Sequence, residues 1–294
     1  MTMRCALVVL LGALALLTGC TAPGPYRTIS LVFDEPAPAT LGTDLDELHI
    51  AQVVARLIRD RLELPFPETT TVRVYVNQTT FAEGLVRDGA QVRAEAWDRA
   101  RVGIAVASPE GLFLRGDLLT TMRLSERVSV IAHELAHVSQ LEMGRGGRST
   151  PAYWILEGHA DWVKYQVLEL LGIRTYAESR EDVRRTVLRA PTPIRFFPPL
   201  SELAGADRWT DSSIRLGWAP TYGQAFLAID MLVERYGIGS LNTYQRRFST
   251  EADARSHWPS VFPITSSEFV RQFRARLEQL GGAGPRGTLA AAER

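Results

Sequence analysis

The segment from His133 to His137, His-Glu-Leu-Ala-His, is the sequence feature that most restricts how this chain can fold. It lies in residues 118–141, which lack Gly and Pro and carry apolar side chains every three or four positions, so the sequence predicts one helix there. Two histidines four residues apart on a helix lie on the same face. Both imidazoles can therefore reach one metal ion, and Glu134 can lie beside the open position of that ion.

A second helix is predicted at a suitable distance. Residues 144–151 have the composition of a loop, and residues 153–171 predict a helix that runs antiparallel to the first. Two imidazoles need a third protein ligand to form a catalytic site with one open position, and Glu157 is the predicted ligand. Asp161 lies one turn further, where its carboxylate can accept a hydrogen bond from the outer nitrogen of a ligand histidine. His159 is the alternative third ligand, and packing between the helices is its other interpretation.

The donor set favours zinc. Two imidazoles are poor ligands for the hard cations Mg²⁺ and Ca²⁺, whereas imidazoles and a carboxylate suit Zn²⁺. Glu134 would then act as the general base for a zinc-activated water, which is the chemistry of peptide-bond hydrolysis. A structural protein that holds no metal, with two unrelated histidines on a surface helix, is the alternative interpretation of the same pattern.

Both motifs resemble those of a known family. His-Glu-Leu-Ala-His, a loop, and then Trp-x-Leu-Glu-Gly-x-Ala-Asp at residues 154–161 are similar to the gluzincin metallopeptidases, in particular the peptidase MA-like family. The small residue Gly158 lets the second helix approach the first closely. Residues 222–237 and 265–281 resemble the family's downstream helices, so the likeness covers roughly residues 70–280. The resemblance implies a zincin-like fold, one zinc ion, and peptides or proteins as substrates.

The resemblance also implies a residue that stabilises the oxyanion. In gluzincins a Tyr or His roughly sixty to seventy residues after the ligand Glu donates this hydrogen bond, and Tyr222 falls in that interval. Packing at the start of a helix is the other interpretation of Tyr222, and His257 is a weaker candidate for the same role. The Gly-x-Met-Glu-Asn strand of the aminopeptidase branch has no counterpart in residues 102–107, which disfavours that activity.

The N-terminus predicts export and lipid attachment. Residues 5–17 are apolar, but they are too few to span a bilayer comfortably. Leu17-Thr18-Gly19-Cys20 resembles the end of a bacterial lipoprotein signal peptide, and this resemblance implies that Cys20 becomes the diacylated N-terminus. Two acyl chains suffice for stable membrane anchoring on the extracytoplasmic side of the cell envelope. An ordinary secretory signal or an uncleaved anchor is the alternative.

Composition divides the chain into four parts. We predict a signal peptide over residues 1–19, a lipidated Pro-, Ala- and Thr-rich tether over residues 20–42, a metallopeptidase domain over residues 43–281, and a flexible tail over residues 282–294. The mature chain would keep only Cys20, so no disulfide is expected within it.

Strand patterns precede helical patterns within the domain. Two helices are predicted before the helix that carries the two histidines, one over residues 44–63 with Asp44 as its cap and one over residues 78–87. Strands are predicted over residues 71–76, 102–107 and 112–115. This order predicts an α+β fold, in which a small N-terminal mixed β-sheet packs on a mainly helical, zincin-like body. We expect the active cleft to run between the last strand of the sheet and the helix that carries the two histidines. Residues 191–220 are rich in Pro and aromatic side chains and predict a long structured loop that could wall this cleft, with wrapping of the surface as the other interpretation.

The charges balance, with 33 basic and 33 acidic residues, so no electrostatic basis for nucleic-acid binding is expected. Lys164 is the only lysine among the 33 basic residues, which we interpret as biased coding composition. The expected partners are a peptide or protein substrate and, through the lipid anchor, a membrane. The sequence does not predict the oligomeric state.

Together these patterns predict a membrane-anchored, extracytoplasmic zinc metallopeptidase. Zn²⁺ would be held by the side chains of His133, His137 and Glu157. Glu134 would act as general base and Tyr222 would assist at the oxyanion. A catalytically inactive, zinc-stabilised lipoprotein that serves as a binding scaffold is the alternative. Glu134 argues against it, because a purely structural zinc site needs no base and usually closes its fourth position.

Overall fold

A computed structural model describes residues 26–38, 40–42, 45–250 and 253–282. The predicted signal peptide, the lipidation residue Cys20, the predicted cap Asp44 and the tail beyond residue 282 lie outside this part of the chain. The strands are β1 (Tyr26–Ser30), β2 (Thr71–Tyr75), β3 (Ala105–Ser108) and β4 (Gly111–Arg115). The α-helices are α1 (Glu47–Arg61), α2 (Gln78–Arg87), α3 (Arg93–Val102), α4 (Gly116–Leu119), α5 (Leu124–Met143), α6 (Tyr153–Leu170), α7 (Tyr176–Leu188), α8 (Ala206–Leu216), α9 (Trp218–Arg247), α10 (Ala254–His257) and α11 (Ser266–Gly282).

The four strands form one mixed sheet in the order β1-β2-β4-β3. β2 and β4 are parallel, whereas β1 and β3 run antiparallel to their neighbours. All five residues of β4 are buried, as expected for an inner strand covered on both faces. The predicted α+β fold, with a small mixed sheet and a mainly helical body, is confirmed. None of the described helices has the length and apolarity that a membrane-spanning segment requires.

The predicted tether over residues 20–42 contains strand β1, so part of it belongs to the folded domain. Residues 26–30 belong to the sheet, where Arg27 aligns with Val74 of β2. The guanidinium of Arg27 also binds Asp46 and Glu47 at 2.6 and 2.9 Å. Backbone pairing and these two ion pairs order a segment whose Pro-rich flanks suggested a flexible linker. Asp46 is also the observed N-cap of α1, since its Oδ1 accepts the backbone N–H of His49 at 2.8 Å.

The predicted single helix over residues 118–141 is divided in two. Helix α4 ends at Leu119, and α5 begins at Leu124 after a turn. The restart has a local cause, because the carboxylate of Glu126 accepts the backbone N–H of Arg123 at 2.9 Å and binds its guanidinium at 2.7 Å. Similarly, the predicted strand over residues 102–107 is shorter than expected, because Val102 ends helix α3.

Helix α6 lies between α5 and α9 and is largely buried. A Cβ atom added at Gly158 would lie 2.5 Å from the carbonyl oxygen of Ala225 and 2.7 Å from Cγ1 of Ile229. The absence of a side chain at Gly158 therefore lets α6 approach α9 closely. The sequence interpretation, in which Gly158 lets α6 approach the helix that carries His133 and His137, is wrong. Helix α9 itself is interrupted at Gly237, where φ is 76°.

The predicted loop over residues 191–220 contains more regular structure than expected. Two short 3₁₀ helices, Ile194–Phe196 and Glu202–Ala204, precede α8, and α9 begins at Trp218. Helix α8 is ordered because it buries Trp209 and Leu216 while its opposite face stays in solvent. As predicted, this region does form a wall of the cleft described below.

Candidate metal centre

Three side chains meet where α5 packs on α6. The Nε2 atoms of His133 and His137 are 3.1 Å apart, and Oε2 of Glu157 lies 3.2 Å from the first and 3.5 Å from the second. Donor atoms that share a small cation at tetrahedral bonds of about 2.05 Å lie about 3.3 Å apart. This buried group can therefore hold one metal ion.

Each histidine is oriented by an acceptor on its outer nitrogen. Nδ1 of His133 donates to Oδ1 of Asp161 at 2.8 Å, and Nδ1 of His137 donates to Oε1 of Gln140 at 2.8 Å. The orientation of the Gln140 amide follows from its own network, because Nε2 donates to the carbonyl oxygen of Leu156 at 2.9 Å. Both imidazoles therefore turn a lone pair on Nε2 toward the centre of the group.

The electrostatics favour a positive charge at this centre. Burial alone would lower the pKa of His133, but hydrogen bonds to Asp161 and Glu157 raise it to about 10. Burial would likewise raise the pKa of Glu157, yet the charges of His137 and His133 and their hydrogen bonds hold it well below its usual value. Two lone pairs and a carboxylate at such short distances repel each other without a cation between them, so a proton and a metal ion compete for the same position.

His159 lies outside this group. Its ring is fully buried, and Nδ1 accepts a hydrogen bond from Nε2 of Gln140 at 2.9 Å. Burial, assisted by the nearby charge of His137, lowers its pKa to about 3, so the ring is neutral. Of its two interpretations, packing between the helices agrees with this position, and the ligand role does not.

Lys164 is a site residue that the sequence interpretation missed. Its ammonium nitrogen lies 2.7 Å from Oδ1 of Asp161, the same oxygen that accepts the hydrogen bond of His133. The Lys164 side chain is only 17% exposed and lies over the ring of Tyr165. Although burial would lower its pKa, the charge of Asp161 raises it, so the pair is ionised. The three-residue spacing on one helix was the signal that could have found this contact.

Glu134 is not one of the three donors, and its carboxylate hydrogen-bonds to the sheet. Its Oε2 accepts the backbone N–H of Ala107, on the edge strand β3, at 3.1 Å. The carboxylate thus lies between α5 and the sheet, and it lines the cleft on either side of the metal centre. A carboxylate beside the centre that is not itself a ligand can take up and release a proton.

Tyr222 lies in the second turn of α9, and its ring is 5.8 Å from that of His133. Burial, with the negative charge of Glu157 nearby, raises its pKa, so the phenol keeps its proton. Its hydroxyl has no hydrogen-bond partner among the described residues. Tyr153, at the start of α6, is a second phenol in the cleft that sequence reasoning missed, and the same two causes raise its pKa.

His257 does not share this environment. Its buried ring packs edge-on against Phe248 at 4.7 Å, and it is not among the described residues that line the cleft. Of the two candidates for the oxyanion role, only Tyr222 borders the metal centre.

The cleft consists of two cavities that meet at the metal centre, with volumes of about 610 and 580 Å³. The larger one extends toward the C-terminal half of α5 and α8. The smaller one extends toward the N-terminal half of α5 and α7. The residues that line both cavities are Arg99, Ala105, His133, Glu134, Trp218 and Tyr222.

Comparisons of the chain with protein-family models, with curated proteins and with solved structures found no match in any of the three. The gluzincin family, the zincin-like classification and the lipid anchor therefore remain predictions from sequence motifs. The structure supports a coarser statement, which is an α+β fold with a buried group of two histidines and one glutamate that can hold a metal ion.

Proposed function

We propose that this chain is a zinc-dependent metallopeptidase, anchored outside the cytoplasm by a lipid on Cys20. One observation carries the catalytic part of the proposal. The donor atoms of His133, His137 and Glu157 lie within 3.5 Å of one another at the centre of an open cleft. A purely structural site would be expected to close its fourth side with another protein ligand. Here that side borders Glu134 and Tyr222.

The donor chemistry fits zinc. Two neutral imidazoles and one carboxylate, without cysteine, form the ligand set of several hydrolytic zinc enzymes. The outer hydrogen bonds to Asp161 and Gln140 present the Nε2 lone pairs as such a set requires. When bound, a zinc ion supplies a Lewis acid that acidifies a water molecule and polarises a carbonyl group.

The protein's own side chains would carry the proton and stabilise the charge. The carboxylate of Glu134, oriented by the N–H of Ala107, takes a proton from the attacking water and passes it to the nitrogen of the leaving amine. The phenol of Tyr222, kept protonated by burial, donates a hydrogen bond to the oxygen on which negative charge develops.

The proposal is tested with the full-length chain and a mixed peptide library. We expect hydrolysis that a chelator abolishes and zinc restores. Glu134→Gln should still bind one zinc ion per chain but lose about 10²–10⁴-fold in kcat. Glu142→Gln is the matched control, because Glu142 lies on the same helix and pairs with Arg145 at 2.9 Å, away from the donor atoms.

The alternatives give different outcomes. If zinc binds and raises the Tm but no peptide is cut, the chain is a zinc-stabilised scaffold. If the purified chain binds no metal, the histidine pair has no metal role. Full activity in Glu134→Gln would show that the proton acceptor is another group.

A further inference from the structure

We infer that Gln245 recognises a carboxamide side chain of the substrate, so that the enzyme prefers peptides with glutamine or asparagine near the bond it cuts. The inference rests on the proposed function, and it goes further by assigning a residue that determines specificity. Three observations support it, which are the unpaired amide of Gln245, its position in the larger cavity, and the chemistry of the groups around it.

The side-chain amide of Gln245 is buried without a partner. The residue lies near the end of α9 and is 2% exposed. Neither Oε1 nor Nε2 makes a hydrogen bond, and no other side-chain amide among the described residues is buried with both atoms unpaired. Buried polar groups that have lost water and gained no partner destabilise a fold. The amide can therefore bind a ligand that supplies both a donor and an acceptor.

Gln245 lines the larger cavity beside Phe248, whose backbone N–H donates to the Gln245 carbonyl oxygen at 3.1 Å. The loop after α5 packs against this point, because a Cβ atom added at Gly147 would overlap the carbonyl oxygen of Phe248 and lie 3.3 Å from that of Gly144. At 1.5 Å per residue, Gly144 lies about 10 Å beyond the ligand His137. An extended peptide covers this length in about three residues, so the recognised side chain would be about three residues from the bond that is cut.

The charges in the larger cavity do not select an ionised side chain. Apart from Glu134 and the metal donors, the charged residues that line it are Arg99, Arg148 and Asp207, which are all exposed and differ in sign. Water and salt weaken the interactions of exposed charges. The buried amide of Gln245 selects by hydrogen bonding instead. A carboxylate would leave Oε1 unpaired and an ammonium would leave Nε2 unpaired, whereas a second carboxamide pairs with both.

Access to this amide is narrow. A position that is 2% exposed admits the end of one side chain more readily than a continuous peptide backbone. Rotation about the side-chain bonds of Gln245 lets its amide face the cavity, and no hydrogen bond has to be broken for this rotation. The apolar side chains of Leu141 and Phe248 line the same cavity and can contact the methylene groups of the bound residue.

The first test varies the substrate and uses the full-length chain with zinc. A peptide that the chain cuts is made with glutamine, glutamate, asparagine, aspartate or methionine at each position within about four residues of the bond. At one position, about three residues from the bond, we expect an amide peptide to have a kcat/KM about 10–100-fold above those of its acid counterpart and of the methionine peptide. Equal values for amide and acid at every position would overturn the inference.

The second test varies the protein. Gln245→Met keeps the length of the side chain and removes its polar atoms, so it should abolish the preference while the methionine peptide is cut at a rate within about twofold of the wild-type rate. Gln279→Met, at an exposed position on α11 that lines neither cavity, is the control and should keep the preference. A preference that persists in Gln245→Met would assign it to another residue.

Thermal unfolding without substrate gives an independent measurement. Gln245→Met should leave the Tm unchanged or raise it, because it removes two unpaired groups. A buried water, or Asn242 one turn earlier with its own unpaired Oδ1, could instead satisfy the amide within the protein. The Tm would then fall, and this result too would overturn the inference.

Calorimetric titration separates the inference from the proposed function. Zinc-loaded Glu134→Gln, which should cut nothing, is titrated with the glutamine and glutamate peptides. We expect the glutamine peptide to bind about tenfold more tightly or better. If the wild type shows this difference in binding but cuts no peptide, Gln245 keeps its role and the peptidase is rejected. Cleavage without any difference between amide and acid peptides keeps the peptidase and rejects the role of Gln245.

Discussion

Lys164 and Asp161 form a buried ion pair in which the ammonium nitrogen lies 2.7 Å from Oδ1, the oxygen that also accepts the hydrogen bond of His133. The positive charge of Lys164 is thus two contacts away from the metal donors. It compensates the buried carboxylate when no ion is bound, and it opposes a cation that enters the site.

Replacing Lys164 should therefore affect the metal-free and metal-loaded proteins differently. Without metal, we expect Lys164→Met to lower the free energy of unfolding by about 1–3 kcal/mol, because the carboxylate of Asp161 loses one of its two partners and keeps the hydrogen bond from His133. The rise in Tm that zinc produces should be larger than in the wild type, since the opposing charge is gone. Calorimetry with and without zinc measures both quantities. Lys164→Arg keeps the charge and should resemble the wild type, and an equal zinc-induced rise in Lys164→Met would contradict the assignment.

The two phenols in the cleft can be distinguished by their kinetics. Tyr222→Phe should lower kcat by about 10–100-fold with little change in KM, because the hydroxyl acts only on charge that develops in the transition state. Tyr153→Phe is the matched variant, since this phenol lines only the larger cavity. Both variants should bind zinc like the wild type. A larger loss of kcat in Tyr153→Phe would reverse the two roles.

The contact between α6 and α9 at Gly158 predicts an unusual response to alanine. Alanine is favoured over glycine in helices by about 1 kcal/mol, but here its methyl group would lie 2.5 Å from the carbonyl oxygen of Ala225. We expect Gly158→Ala to destabilise the fold by about 1–3 kcal/mol. Gly239→Ala is the control, because the corresponding Cβ has no neighbour within 4 Å, and it should not lower the Tm. Equal Tm changes for the two variants, measured by thermal unfolding, would contradict this packing.

The free energy of unfolding should depend on pH through Asp88, which is distant in sequence from the metal motifs. Its carboxylate accepts hydrogen bonds from Arg87 at 2.6 Å and from the hydroxyl of Tyr75 at 3.0 Å, and the bond from Arg87 in particular holds its pKa below the ordinary 3.8. Because the folded-state pKa is the lower one, the stabilisation is present above about pH 4 and disappears as the pH falls through the folded value. Asp88→Asn should cost about 1–3 kcal/mol at pH 7.

Denaturant unfolding at several pH values measures this effect. The difference between Asp88→Asn and the wild type should shrink below about pH 4. A difference that stays constant between pH 7 and pH 3 would show that the charge of Asp88 contributes nothing. Glu83→Gln, at an exposed position on α2, the helix that Asp88 caps, is the control and should show no such trend.

Residue spacing predicted the metal group because its geometry is local. Glu157 and Asp161 lie four residues apart and therefore on one face of the second helix, so both can reach the two histidines when that helix returns antiparallel to the first. Helix α2, over residues 78–87, agrees with its prediction for the same reason. Strand β1 was missed because its pairing partner, Val74 for Arg27, lies more than forty residues away along the chain.

The role of Gln140 depends on contacts with the facing helix, which no local pattern reveals. Gln140 is one of several polar residues on α5 until the Leu156 carbonyl fixes its amide. Lys164 was interpreted from composition as a coding bias, whereas its three-residue spacing from Asp161 on the same helix indicates the ion pair. Helix α8 was hidden by its Pro-rich surroundings, because its order depends on the burial of Trp209.

Gln140 joins α5 and α6 through its own side-chain hydrogen bonds, which connect it with His137 on α5 and with the Leu156 carbonyl and His159 on α6. A binding site that such contacts hold together before metal binds differs from a zinc finger, which is unfolded until its metal binds. If the group does hold a metal ion, maturation can proceed in two separate stages. The polypeptide would fold first, and the ion would bind afterwards, wherever the surroundings supply it.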